Sequence, residues 1–509
     1  MGERRRRVAM GLLFYPRGGS AQVVRYLARA LPAVGWDVSL ACGSLGSPGE
    51  ASHAATFFAG LSVTAADFTP ALAACRRGED AMAEPMPLHP SYEDRPGAPD
   101  RLFAALSPEL AEHQADAWEE VLVSAGFDGA HLFHLHHLTP LHDVVARLWP
   151  DRPLVTHLHG TELKMLDGIA RRSALAATLD SDLAGMAARE EAGRLPASDR
   201  LGPEQRELLT HTRWTHWRFG DHWATRLRGA AGRSDGLICI SPHDRDEALR
   251  LLGVQPEVVE VIPNGVDTEH FGRRELSLEE RLVLLRRWLV DDPQGWDESG
   301  RPGSIRYPAA ALEAFVDRPG DGPALVLLFV GRFLDFKRVP LLLRAYARAR
   351  PRFSAPAPLL VWGGFPGEWE GEHPPTVAER EGIEGVFFSG WRGHDELPQG
   401  LACADLFVAP SVDEPFGQVF LEAMSSGVPV IATRSGGPPS FVNTVSGRPN
   451  GWLIPTDDVD ALADALVEAV NNEAGRRERA ENAYEQIRGR YSWHTLAHRF
   501  AAVYDELLR

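Results

Sequence analysis

Short apolar runs alternate with stretches of helical periodicity along most of this chain, and the alternation occurs twice. The first series opens on "VAMGLLFY", crosses the breaker "PRGGS", continues through "AQVVRYLARALPAVG" with apolar residues at helical spacing, and reaches a second apolar run, "WDVSLACG". Further strand-like runs follow at "AHLFHLH", "PLVTHLHG", "GLICISP" and "VVEVIPNG". A strand, a crossover helix and the next strand join in parallel, and strands buried on both faces read as such near-continuous apolar runs. A second series starts near residue 324: "ALVLLFVGRF", "VPLLLRAYARA", "PLLVWGG", "GVFFSGW", "ELPQGLACA", "DLFVAPS", "GQVFLEAMSSG", "PVIATRSGG", "GWLIP" and "DVDALADALVEAV". The expected fold is α/β, with two Rossmann-like doubly wound parallel-sheet domains in tandem, 1–267 and 268–490, and a closing helix over 491–509.

Three stretches break the alternation: 50–115, 165–230 and 275–322. They read as insertions on the scaffold, the places where specificity tends to reside. The second contains "RWTHWRFGDHW", with Trp214, Trp217 and Trp223 close together. Such a cluster is read first as packing or a lid and second as a carbohydrate platform, since aromatic faces also stack on sugars.

Charge and cysteine usage exclude some partners. The 509 residues carry 53 basic against 70 acidic side chains, a formal −17, which repels nucleic-acid backbones and leaves any anion to a few placed groups. No window has the ~18 apolar residues of a membrane span. "MGERRRRVAMGLLFYPRGG" starts basic, but its apolar stretch runs into Pro16 and Arg17, so it reads as a lead-in to a first strand and not as a signal peptide. Cys42, Cys75, Cys239 and Cys403 lie far apart without a CxxC pair, which predicts neither a disulfide framework nor a zinc site and fits a cytoplasmic chain.

The chemistry concentrates late in the chain. In "FVGRFLDFKRV", Arg332 and Lys337 flank a connection that leaves the carboxyl end of a strand, where doubly wound sheets bind ligands. Two cations there, in an acidic protein, predict an anion site. In "PSVDEPFGQVFLEAM", the helix start after Gly417 offers backbone N–H groups to a phosphate, while Glu414 and Glu422 can accept hydrogen bonds from sugar hydroxyls. Phosphate and hydroxyl recognition together describe a nucleotide-sugar pocket.

These residues resemble those of the retaining GT-B glycosyltransferases of family 4. "EPFGQVFLE" matches the family's E-x7-E signature, and "GRFLDFK", "VFFSGW", "GVPVIATRSGGPP", "VIPNGVDTEHF", "RGGS" and "THLHGTE" resemble its other motifs in the same order. The resemblance implies two domains facing a central cleft, with the last helix crossing back onto the first. By position, Arg332 and Lys337 would neutralise the donor pyrophosphate, Glu422 would hold the ribose and Glu414 the donor sugar. The backbone of Phe416, Gly417 and Gln418 would lie beside sugar and phosphate, and His159 near the reacting face. Gly18 and Gly19 would let a first-domain loop approach the phosphate. Gly363, Gly364, Trp391 and Arg392 complete the implied donor set. The implied enzyme is a retaining hexosyltransferase that moves a sugar from a nucleotide-diphosphate sugar to a small-molecule acceptor by front-face substitution, with no covalent intermediate and no metal or other cofactor. The Ala/Arg/Pro-rich insertions point to a specialised acceptor of the kind met in bacterial secondary metabolism, and self-association is left open.

Departures and alternatives remain. Ser440 stands where the family has Glu. The histidines of "HLFHLHHL" (His131, His134, His136, His137) sit on a buried strand end whose alternate positions face opposite ways, and are not read as metal ligands. A nucleotide-sugar epimerase or a sugar phosphorylase on the same architecture, a dinucleotide oxidoreductase, and an inactive sugar-binding scaffold are the competing readings. "PRGGSAQ" is not G-x-G-x-x-G, which weighs against the oxidoreductase.

Overall fold

The computed structural model describes residues 5–95, 98–197, 201–317, 322–444 and 447–509. The chain separates into two compact units, Met1–Pro263 with Leu496–Arg509, and Asn264–Thr495. The first unit is built on seven parallel strands: β1 (Arg6–Leu12), β2 (Trp36–Ser44), β3 (Val63–Asp67), β4 (Leu132–His136), β5 (Leu154–His157), β6 (Gly236–Cys239) and β7 (Val259–Val261). Their order is β3-β2-β1-β4-β5-β6-β7. The chain therefore winds outward from β1 in one direction and from β4 in the other. β4, β5 and β6 are buried along their whole length, including the histidines and threonine that interrupt the apolar runs of β4 and β5. Phe500 and Tyr504, on the last helix (Trp493–Leu507), are fully buried in this unit, with Tyr504 edge-on to Trp36 at 5.0 Å.

In the second unit a two-residue antiparallel pair, β8 (Val316–Asp317) and β9 (Gly322–Pro323), precedes the main sheet. That sheet contains β10 (Leu327–Gly331), β11 (Leu359–Gly363), β12 (Val386–Gly390), β13 (Leu406–Val408), β14 (Val430–Thr433) and β15 (Gly451–Ile454), in the order β12-β11-β10-β13-β14-β15. All its pairings are parallel, and Gly331 lies opposite Gly363 where β10 and β11 end.

The irregular stretches differ from the simple insertion picture. Residues 50–115 supply β3, an edge strand of the sheet, so only part of that stretch is an addition. Between β5 and β6 the chain makes helices Thr161–Thr178, Leu183–Glu191, Pro203–His211 and Gly220–Gly232. Trp214 and Trp223 within it are 0% exposed and Trp217 is 6% exposed. Trp223 Nε1 donates to the Leu106 carbonyl at 2.9 Å, and the Arg172 guanidinium lies 3.9 Å over the Trp217 ring. The cluster is packing and presents no sugar-binding face. In 275–322, Ser277 and Glu280 form a capping box that starts helix Leu278–Arg286. That helix loosens into a π-turn over Arg287–Asp291. Helix Glu473–Arg490 escapes a periodicity reading because only Ala483 and Ile487 on it are buried. Part of the basic lead-in, residues 1–4, lies outside the described residues, whereas Arg6 and Arg7 belong to β1.

Candidate functional site

In the second unit the winding reverses between β10 and β13, and ligands of doubly wound sheets bind at the carboxyl ends of the strands at such a switch point. The connections leaving these two strands carry Arg332 to Lys337 and Ser411 to Gln418. Glycines bring the neighbouring strand end close. The Gly364 N–H donates to the Gly331 carbonyl at 2.9 Å, and a Cβ on Gly363 would meet that oxygen at 2.3 Å. With φ of 125° and 71°, Gly363 and Gly364 also occupy backbone conformations reserved for glycine. Trp296 Nε1 donates to the Gly364 carbonyl at 2.8 Å, so the 275–322 stretch already engages this turn.

Lys337 Nζ donates to the Glu414 carboxylate, and both side chains are largely buried. Arg332 Nη2 lies 3.6 Å from Glu368 Oε2. The Glu414 loop is braced from β14. The Asp413 N–H donates to Ser435 Oγ at 2.9 Å and the Gly437 N–H donates to the Glu414 carbonyl at 2.7 Å. A Cβ on Gly436 would sit 2.2 Å from that same carbonyl oxygen and one on Gly437 would sit 2.6 Å from the Pro415 carbonyl oxygen, so both glycines of "RSGGPP" allow this loop its close approach. Gly417, at φ 88°, opens helix Gln418–Ser425 without a side-chain cap. The ring of Phe416 is core, 5.3 Å from Phe441, so only its backbone can meet a ligand. Gln418 Nε2 donates to the Gly265 carbonyl at 3.3 Å.

Glu422 is 4% exposed, and its Oε1 lies 3.1 Å from His394 Nε2. His394 follows β12 and packs 5.1 Å from Phe271, with the His270 ring parallel at 5.9 Å. Burial, then the neighbouring His394, pushes the His270 imidazole below its usual range. The sequence reading missed His394, although its position just beyond a strand's carboxyl end was the available signal. Trp391 is 43% exposed and meets the exposed Phe365 edge-on at 5.8 Å. Arg392 is a correction. Its Nη1 donates to Asp292 Oδ2 at 2.9 Å and its Nη2 to the Trp288 carbonyl at 3.0 Å, so the guanidinium clamps the 275–322 stretch and is not presented to a donor.

In the first unit the reversal falls between β1 and β4. Gly18, at φ 77°, precedes helix Gly19–Ala30, and added Cβ atoms on Gly18 or Gly19 would meet nothing within 4 Å. Gly18 is thus required by its backbone angle, and space around both residues stays open. After β5, Glu162 is fully buried and its Oε1 accepts the His159 N–H at 2.9 Å. Its Oε2 lies 3.1 Å from His137 Nδ1. Burial acts to raise the Glu162 carboxyl. The charge and hydrogen bond of His137, with backbone N–H donors, outweigh it and hold the group below the usual carboxylate range. His159 is 8% exposed, its Nε2 lies 3.0 Å from His136 Nδ1, and burial holds the ring neutral. Glu162 stood in "HGTE" unassigned. Of the other histidines, His131 Nδ1 accepts the Arg7 N–H at 3.1 Å, while His134 and His136, two apart and hence on one face, converge with His157.

Residues 324–472 match the family described as Glycosyl transferases group 1, and residues 205–270 that described as Glycosyltransferase Family 4. The first match covers most of the sheet of the second unit, and the second covers a stretch about the end of the first unit. It is similar to D-inositol 3-phosphate glycosyltransferase of Saccharomonospora viridis, 30% identical over 294 residues, covering 56% of this chain and 59% of that protein. It is also similar to the lipopolysaccharide core biosynthesis glycosyltransferase LpsE of Rhizobium meliloti, 33% identical over 184 residues, 36% of this chain and 50% of that one. The chain thus matches between half and two thirds of these relatives' lengths. Among solved structures, sucrose-phosphate synthase from Thermosynechococcus elongatus aligns over 99% of both chains with a TM-score of 0.58 at 18% identity. Anabaena HepE in complex with UDP and glucose aligns over 97% of this chain and 98% of its own, with a TM-score of 0.56 at 17% identity. These likenesses establish the GT-B fold.

Proposed function

We propose that this chain transfers a sugar from a nucleotide-diphosphate sugar to a small polar acceptor, with retention at the anomeric carbon. The observation that carries the reading is the convergence of Lys337, Glu414, the helix start at Gly417 and Glu422 at the β10/β13 switch point. Glu422, steadied by His394, accepts from the ribose hydroxyls, and Glu414 from the donor sugar. Arg332, Lys337 and the N–H groups after Gly417 stabilise the charge on the departing diphosphate, as preorganised donors do for developing anions. The exposed Trp391 and Phe365 offer an aromatic face to the base. As the C–O bond to phosphate breaks with its electron pair, the acceptor hydroxyl bonds to the anomeric carbon from the same side and its proton passes to a phosphate oxygen. No step requires a metal or a protein nucleophile. Within the first unit, His159 is fixed by its N–H on Glu162 and by Nε2 against His136 Nδ1. The names of the relatives, inositol phosphate transferases among them, favour a small polyol or polyol phosphate as acceptor, and a specialised acceptor in bacterial secondary metabolism remains within this reading.

The test is nucleoside diphosphate release from UDP-, GDP- and ADP-sugars with a panel of polyol acceptors. Arg332→Ala and Lys337→Ala are expected to lower turnover by about 10²–10³-fold each. Release that is unchanged in both variants contradicts the assignment.

A further inference from the structure

β4 and β5 run in register with His136 opposite His157, and His134 lies two residues before His136 on the same face. All three rings are 0% exposed. Their centroids are 4.5, 5.5 and 5.2 Å apart, with planes inclined by 19°, 20° and 35°. One ring nitrogen from each lies within 4.8 Å of the others. An ion bound at about 2.0–2.1 Å lies in the plane of each ligating ring, so these near-parallel rings close on it by side-chain rotations that bring the three nitrogens to roughly 3.4 Å from one another.

The hydrogen bonding points the same way. His134 Nδ1 pairs with the Tyr504 hydroxyl at 2.6 Å, and His136 Nδ1 with His159 Nε2 at 3.0 Å. The Nε2 atoms of His134 and His136, and both ring nitrogens of His157, are buried without a hydrogen-bond partner. A buried polar atom left unpaired costs about 1–3 kcal/mol, so several on one patch call for something to fill it. The two Nδ1 contacts orient their rings and leave Nε2 as the donor atom, the arrangement that outer hydrogen bonds impose on metal-bound histidines. Three imidazoles without a coordinating carboxylate suit zinc, copper or nickel, and not magnesium or calcium.

We propose that His134, His136 and His157 form a buried three-imidazole site for one d-block cation of the zinc–copper class, joining β4, β5 and, through Tyr504, the last helix. The ion is structural, taken up as the unit folds, and it sits behind His159 without entering the transfer chemistry.

Element analysis of tag-free full-length protein, gel-filtered in EDTA, tests this. About one equivalent of zinc, copper or nickel per chain, released only on unfolding, is expected. It should be absent from folded His157→Leu and retained in His270→Ala/His394→Ala. Should His157→Leu not fold, Tyr504→Phe serves: loss of the outer hydrogen bond should speed release to a chelator by about 10–100-fold. Metal-free protein, both as purified and after refolding with Zn2+, Cu+ or Ni2+, overturns the proposal and leaves ordered water as the filler. Stoichiometric metal that survives His157→Leu, or retention unchanged by Tyr504→Phe, overturns it as well.

Discussion

Glu422 faces His394 at 3.1 Å, so it is not a carboxylate that merely solvates a helix, and the proposed function has it accept from hydroxyls. A nearly buried carboxylate on an apolar helix needs a purpose. Glu422→Ala should weaken nucleoside diphosphate binding by about 10–100-fold, the loss expected for hydrogen bonds to a charged group. His394→Ala should cost less, about 3–10-fold, because it removes only the group that steadies the carboxylate. Calorimetric titration of both variants checks the order, and equal losses would make His394 a direct contact. Glu414, Glu422, Arg332 and Lys337 were legible because charged residues beside strand ends stand out in an apolar alternation. His394 and Glu162 were not, because each matters through a partner that only the fold brings near.

Among the elements, the β4 and β5 histidines make the first unit acid-sensitive. Burial holds His134 down to about 3 and His142 to about 4, with His136, His157 and His159 also well below their usual range. Unfolded imidazoles titrate near 6.5. Above that pH neither state holds the proton and stability is complete. Below it only the unfolded chain is protonated, so stability falls by up to about 1.4 kcal/mol per pH unit for each such histidine. Glu162, held below its ordinary 4.5, adds a loss only further down. The melting temperature should therefore decline from pH 6.5 and collapse before the carboxylate range; a flat profile to pH 5 would contradict this burial. In the second unit Gly436→Ala combines φ 66° with a 2.2 Å clash on the Glu414 carbonyl. It should displace the Glu414 loop and abolish transfer at a stability loss of about 1–3 kcal/mol, measurable by denaturant unfolding. The strand alternation was legible in the sequence. The meeting of His157 with His134 and His136 was not, because it depends on the register between two strands, and β3 was hidden in a stretch whose half-exposed pattern resembles a loop.

At the scale of the whole molecule, Arg332, Lys337, Glu414 and Glu422 all lie in the second unit, to which the proposed function assigns the donor. Hydrogen exchange should show nucleoside diphosphate protecting the segments Arg332–Lys337 and Glu414–Glu422 ahead of the Trp214–Trp223 region, which is packing. The tandem architecture followed from the repeated alternation, while the place of the 275–322 stretch, with Trp296 on Gly364 and Asp292 on Arg392, followed only from three-dimensional contacts. The most direct test of the account is a thermal shift series with UDP, GDP and ADP on the intact chain, Glu422→Ala and Arg332→Ala. A diphosphate at a hundred times its dissociation constant should stabilise the protein by about 2.7 kcal/mol. The account predicts that one of the three does so, and that the shift disappears in both variants. A shift that survives both substitutions, or none with any diphosphate, would contradict it.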